Sequence, residues 1–201
     1  MNKGCNQCEL PILNCICNKL PKVCTRAKFW ILSSVRELKR PSNTARLLKL
    51  ANPASTEIFL WERTKEPDQL IEYINMEQYK TFILFPTENG DFDKSDMELK
   101  IEDKIPAFII LDGTWKEARK IFRKSDFLKD LPNITIRPSC SSKYDLRRGV
   151  TQGNLCTIEA AIEIIRMNQE IQTASIIEGY YNIFIKSYKA GISEYLFKDH
   201  F

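Results

Sequence analysis

Apolar residues in this chain fall in short blocks, and the stretches between them carry a helical period. Phe29 to Val35, Thr56 to Trp61, Thr81 to Phe85 and Pro106 to Leu111 are short apolar runs rich in β-branched and aromatic side chains. Each has the length of a buried strand. A shorter run, Ile134 to Arg137, reads the same way. Ser42-Asn43-Thr44 opens a helix whose apolar side is Ala45, Leu47, Leu48 and Ala51. Further helices are predicted from Pro67 to about Asn75, from Thr114 to Arg123, from Thr157 to Gln172 and from Ser175 to Lys189. The polar, acidic stretch from Asn89 to Lys104 reads as a loop with partial helix. Strands alternating with helices predict an α/β domain: a mostly parallel sheet with helices on both faces. There is no internal repeat. No apolar run approaches a membrane span, and Met1 to Cys5 lacks a signal-peptide stretch, so a cytoplasmic protein is expected.

Leu111-Asp112-Gly113-Thr114-Trp115 lies at the seam between the Pro106 strand and the Thr114 helix. That seam is the usual ligand-binding edge of an open α/β sheet. Asp112 there is either a functional carboxylate or, with Thr114, a helix cap. Trp115 either walls a pocket or packs in the core.

Net charge is only +4, yet the charge is unevenly placed. Residues 18–50 hold nine bases and one acid, residues 116–148 ten bases and four acids, and residues 57–103 thirteen acids and five bases. Two separate basic blocks suggest a face suited to phosphate backbones. The single histidine, His200, makes a histidine-based dyad or metal site a poor reading.

Cys5-x-x-Cys8 and Cys15-x-Cys17 place four thiols close together in the chain. In a reducing compartment such a set favours tetrahedral thiolate ligation over disulfides. Zinc is the default metal, and an iron–sulfur cluster is the competitor. Residues 1–26 therefore read as a small metal-folded module ahead of an α/β domain at 27–201. Cys24, Cys140 and Cys156 read as packing residues. No Gly-x-Gly-x-x-Gly or Walker sequence is present, which leaves ordinary dinucleotide and P-loop nucleotide sites unsupported.

Six blocks in order resemble the DTW-domain family, whose characterised members are tRNA-uridine aminocarboxypropyltransferases. They are the cysteine module, Arg40-Pro41-Ser42-Asn43-Thr44-Ala45-Arg46, Leu84-Phe85-Pro86, Asp112-Gly113-Thr114-Trp115, Tyr144-Asp145-Leu146-Arg147-Arg148 and Cys156-Thr157-Ile158-Glu159-Ala160. Asp145 and Cys156 depart from the family pattern, at positions suited to tuning substrate choice. The resemblance implies a fold like that of the SPOUT RNA methyltransferases, with a knotted C-terminal part. Topology rules alone disfavour a knot.

The implied reaction moves the 3-amino-3-carboxypropyl group of S-adenosylmethionine to the 3-position nitrogen of a tRNA uridine and releases methylthioadenosine. The implied S-adenosylmethionine contacts are Phe85, Pro86, Leu111, Thr114, Trp115, Tyr144, Leu146, Arg147, Thr157, Glu159 and Ala160. Asp112 is the candidate catalytic residue, as a general base or as an electrostatic clamp. Glu159 has a capping role as its alternative. Trp115 and Tyr144 are placed to stack on adenine or uracil, or to pack in the core. Lys39, Arg40 and Arg46 are the candidate tRNA contacts, and Cys5, Cys8, Cys15 and Cys17 the metal ligands. Methyl transfer to RNA, and a non-catalytic zinc-bearing RNA-binding protein, are the competing functions. The tRNA species, the uridine position and the oligomeric state are not encoded in any motif.

Overall fold

The computed structural model describes residues 4–85, 103–136, 142, 144, 146 and 155–198, with side chains through residue 192. Five strands, β1 (Lys28–Ser33), β2 (Thr56–Leu60), β3 (Tyr79–Leu84), β4 (Ile105–Asp112) and β5 (Asn133–Ile134), form one sheet in the order β2-β1-β4-β3-β5. Every pairing is parallel. The helices are α1 (Val35–Leu38), α2 (Thr44–Ala51), α3 (Asp68–Asn75), α4 (Trp115–Arg123), α5 (Thr157–Met167) and α6 (Ile171–Lys198). Single 3-10 turns cover Ile12–Asn14, Cys17–Lys19 and Asp126–Leu128.

Strand side chains alternate between two cores, as a period of two requires. Phe29, Ile31, Phe82, Phe108 and Ile110 pack against α2, α5 and α6. Trp30, Leu32, Ile83, Ile109 and Leu111 pack against α3 and α4. Both faces are covered, which explains why these strands are nearly continuous in apolar residues. Burial of the β1 and β4 side chains is close to complete.

The chain leaves β1 by α1 and α2 toward β2, and leaves β4 by α4 toward β5. These adjacent strands therefore send their connections in opposite directions and onto opposite faces. The crevice beyond their carboxyl ends is a topological switch point, where open α/β sheets bind ligands. Ser33 and Asp112, the last residues of the two strands, are register partners at its floor.

Several boundaries differ from the sequence reading. β1 stops at Ser33, because the Ser34 hydroxyl accepts the Glu37 N–H and starts α1. The last two helices break at Asn168 and Gln169, where Gln169 has φ 64°, and α6 then runs to Lys198. β3 begins two residues earlier, at Tyr79. The expected knot and residues 89–102 of the acidic loop lie outside the described residues, as does Arg137; the strand expected from Ile134 to Arg137 covers only Asn133–Ile134, and Thr135 and Ile136 have already left the sheet. The cysteine segment is integrated with the domain. Cys8, Leu10 and Ile16 are buried in the same core as α2, α5 and α6. Gly191 of α6 lies so close that a Cβ there would sit 3.3 Å from Pro11 Cγ. Among the described residues, no helix is long and apolar enough to cross a membrane.

Candidate active site

Asp112 is 3% exposed, and its carboxylate is tied to three separate elements. Its Oδ2 accepts from Ser33 Oγ at the end of β1 (2.7 Å) and from Asn43 Nδ2 at the start of α2 (2.7 Å). Its Oδ1 accepts from Thr157 Oγ1 at the start of α5 (2.6 Å). Three of the four lone-pair sites are thus used by fixed donors. Oδ2 is saturated, and Oδ1 keeps one site. Asn43 serves twice, because its Oδ1 also caps α2 by accepting from Arg46 N–H at 3.0 Å.

The network continues through a residue the sequence did not single out. Glu37 is 1% exposed. It receives Arg40 Nη1 at 2.5 Å and Asn43 Nδ2 at 3.5 Å. Arg40 Nη2 stands 3.7 Å from Glu117 Oε1, so a charged link spans the crevice from the α1–α2 turn to α4. Glu117 accepts from both the N–H and the hydroxyl of Thr114, closing a reciprocal cap on α4. Burial opposes its charge, but the Thr114 bonds and the Arg40 and Arg36 guanidinium groups outweigh it and hold its carboxyl below the ordinary 4.5. Gly113 allows this tight seam: its φ is 153°, and a Cβ there would lie 3.0 Å from Glu117 Cβ.

The Asp-Gly-Thr-Trp segment diverges at the sheet edge. Asp112 turns toward α2 and α5, whereas Trp115 turns to the α4 face. The Trp115 ring stacks on Phe85 with centroids 5.4 Å apart and planes at 16°. Phe85 stacks in turn on Phe122 at 4.4 Å. Trp115 remains 39% exposed, with the Arg119 guanidinium 5.6 Å from its centroid. Leu111 and Phe85 are buried beside this ladder.

A second buried carboxylate holds the approach to α5. Glu159 Oε2 accepts from Ser142 Oγ at 2.7 Å and from Cys156 N–H at 2.9 Å, while Oε1 accepts the Tyr181 hydroxyl at 3.2 Å. Burial, with the Glu159 charge second, pushes the Cys156 thiol up to about 12. That thiol donates to Tyr181 Oη at 3.5 Å. Burial, reinforced by Cys156 and Glu159, also raises the Tyr181 phenol. Tyr144 is buried in the core with its hydroxyl donating to the Ser42 carbonyl at 3.0 Å. Leu146 packs against the same core, and Ala160 is buried in α5. Thr114, by contrast, is exposed at the mouth. Pro86 and Arg147 lie outside the described residues.

The cations proposed to meet RNA differ in exposure and pairing. Lys39 is exposed. Arg46 is half-buried and tied down: Nη2 pairs with Glu9 at 3.0 Å and donates to the Leu38 carbonyl, and Nη1 donates to the Arg40 carbonyl.

The four cysteine sulfurs lie within 4.8 Å of one another. Cys5 and Cys17 are 3.6 Å apart, and Cys8 and Cys15 are 3.8 Å apart. Zn–S bonds of about 2.3 Å in a tetrahedron put sulfurs about 3.8 Å apart, a spacing that these two pairs match, so the donor set can hold a metal. The first knuckle is shaped by Cys5 N–H bonding the Leu10 carbonyl and by Glu9 in the left-handed region at φ 59°. Backbone N–H groups of Cys8, then Gln7, pull the Cys5 thiol down to about 6. Burial raises Cys8 and Cys17, and the neighbouring thiols push Cys17 higher still.

The DTW domain matches residues 2–189. The chain belongs to the DTW-domain family. Its curated relatives include proteins named tRNA-uridine aminocarboxypropyltransferase 2. The one from Drosophila melanogaster is 25% identical over 166 residues, covering 80% of this chain and 64% of the relative. Those from Macaca fascicularis and Mus musculus are 26% and 27% identical, each covering 84% of this chain and 58% of the relative. The chain thus spans about three fifths of the length of these relatives. No solved structure matches it.

Proposed function

We propose that this DTW-domain protein transfers the 3-amino-3-carboxypropyl group of S-adenosylmethionine to the 3-position nitrogen of a uridine in tRNA. The observation that supports this is the buried Asp112 carboxylate at the switch point, fixed by donors from β1, α2 and α5. A preorganised negative charge in a poorly hydrated crevice suits the sulfonium and ammonium groups of this donor. We assign Phe85, Leu111, Thr114, Thr157 and Ala160 to the donor's walls. Arg40 Nη2, at 3.7 Å from Glu117, is outside hydrogen-bond reach of it and is suited to take the donor's carboxylate.

In the transfer, the uridine nitrogen forms a bond to the γ-carbon, the carbon–sulfur bond breaks, and its electron pair stays on sulfur as methylthioadenosine leaves. The imide proton passes to water at the mouth. With Oδ2 saturated and the group almost wholly buried, we assign Asp112 the electrostatic role and not that of base. Glu159 anchors the segment before α5 through Ser142 and Cys156 and positions Thr157 behind the donor. We infer a SPOUT-like fold from the family resemblance, with β5 at the sheet edge and Thr157 beside Asp112. We assign zinc to Cys5, Cys8, Cys15 and Cys17, as a structural ion, and place the reaction in the cytoplasm, with tRNA.

The test is nucleoside mass spectrometry of unmodified tRNA incubated with the protein and S-adenosylmethionine. The expected product is 3-(3-amino-3-carboxypropyl)uridine with one methylthioadenosine released per modification. A methylated nucleoside with S-adenosylhomocysteine would select methyl transfer instead, and binding without turnover would select the non-catalytic reading.

A further inference from the structure

The cations of this protein divide into those already engaged and those that are not. Arg40, Arg46, Lys49, Lys129 and Arg166 form ion pairs with Glu37, Glu9, Glu57, Asp126 and Glu163 or Glu178. On α4 and its last turn, Lys116, Arg119, Lys120, Arg123 and Lys124 are all exposed. None of them forms an ion pair with a described residue. Their spacing of three and four residues places them on one side of the helix. The helix's single acid, Glu117, is turned away to Thr114 and Arg40.

Two indoles flank this stripe, and each has one of its cations over the ring. Arg119 lies 5.6 Å from the Trp115 centroid and Lys120 lies 5.7 Å from that of Trp61. Trp61 is fixed by its Nε1–H donating to Ser125 Oγ at 3.0 Å. Trp115 is backed by Phe85 and Phe122, so its ring is a rigid and partly exposed shelf. Cations alone suit any polyanion. Cations interleaved with exposed rings suit single-stranded nucleic acid, whose phosphates take the charge and whose bases stack on aromatic and guanidinium planes. Trp115 lies three residues after Asp112, so a base on that shelf stands at the mouth of the crevice.

We propose that α4 is the tRNA-gripping helix: its stripe from Lys116 to Lys124 tracks the phosphates, and Trp115 with Arg119 stacks a nucleotide at the crevice mouth. This rests on the tRNA reading above. It replaces Arg40 and Arg46, which the sequence offered, with residues that form no ion pair among the described residues.

Fluorescence anisotropy of labelled, unmodified tRNA across a salt series tests it, alongside calorimetric S-adenosylmethionine binding. Neutralising two phosphate contacts with Lys116→Ala and Arg123→Ala should lower the salt slope by about 1.5, or roughly thirty-fold in affinity at 0.1 M salt. S-adenosylmethionine affinity should stay unchanged in that pair. Trp115→Leu should weaken tRNA about tenfold with the slope unchanged, since stacking releases no counterions. A control pair on the cysteine segment, Lys19→Ala and Lys22→Ala, should leave binding at the unsubstituted level. An unchanged slope in the α4 pair overturns the proposal, as does a Trp115→Leu protein that loses S-adenosylmethionine but keeps tRNA. Absence of any salt-dependent tRNA binding by the unsubstituted protein would overturn the tRNA reading as well, which separates the two failures.

Discussion

Replacing Asp112 with asparagine separates a carboxylate that holds the crevice from one that removes a proton. The amide has one orientation that fits. Its oxygen must face Ser33 Oγ and Asn43 Nδ2, because an NH2 there would meet the Asn43 donor head-on. Its NH2 then faces Thr157, whose hydroxyl reverses to accept. All three contacts survive, each reduced from a charge-assisted to a neutral bond, at a cost of about 1 kcal/mol apiece. Relief from burying a charge returns part of this, leaving a net loss of about 2 kcal/mol. For a chain of this length that is a melting temperature lower by roughly 6 °C. Asp112→Ala strips all three donors of their acceptor and should cost about 4 kcal/mol. Urea unfolding followed by circular dichroism measures both. In the same proteins, Asp112→Asn should lose S-adenosylmethionine affinity at least tenfold, and turnover should not recover as pH is raised. The opposite result would refute the electrostatic assignment: normal stability and donor affinity, turnover reduced 10²-fold or more, and recovery at high pH, where uridine ionises unaided.

Three other perturbations follow from the same contacts. Cys8→Ser should release the metal and lower the melting temperature of the whole domain, because Cys8 shares a core with α2, α5 and α6; metal loss with unchanged melting would show a separable module. Glu117 lies below its ordinary 4.5 in the folded chain, so its stabilising effect is complete above that pH and fades as pH falls through the folded value. Glu117→Gln should flatten this acid limb in a pH series of melting curves, and an unaltered limb would assign it elsewhere. Tyr181→Phe removes a donor to Glu159 and the acceptor of the Cys156 thiol, costing about 1 kcal/mol, and should raise hydrogen exchange at Tyr144.

The sheet was legible because its strands are covered on both faces and read as continuous apolar runs. The α2 start was legible from Ser42-Asn43-Thr44, and α4 from Thr114 with Glu117 three residues on. Ser33 and Glu37 were not. The role of Ser33 depends on β1 pairing with β4 in a register that no local pattern encodes, and Glu37 beside Arg36 looks like solvated helix surface although it is buried against Arg40 and Asn43. Arg40 and Arg46 stood in a basic block and were read as free charge. Arg40 pairs with Glu37, three residues away and buried only through the fold, and the Arg46 partner Glu9 is distant in sequence, so neither pairing stands out in the basic block. Tyr144 could have been stacking or packing, and the long-range bond to the Ser42 carbonyl favours packing. The break between α5 and α6 carries no glycine or proline, only Asn168-Gln169, which explains the misplaced boundary.

The docking of the cysteine turn on α6 bears on how the chain is made. Cys5 to Cys17 emerge in synthesis well before Tyr180, Phe184 and Gly191, which pack against the same segment. Contacts this distant in sequence form late, and until then the turn's apolar residues have nothing to pack against. Its four ligands, however, lie within thirteen residues and need no other part of the chain to meet a metal. An ion captured at that stage keeps the turn in its docked shape and its thiols out of oxidation and exchange. A metal held there would act as a template for the docking of α6, which then finds its seat already formed.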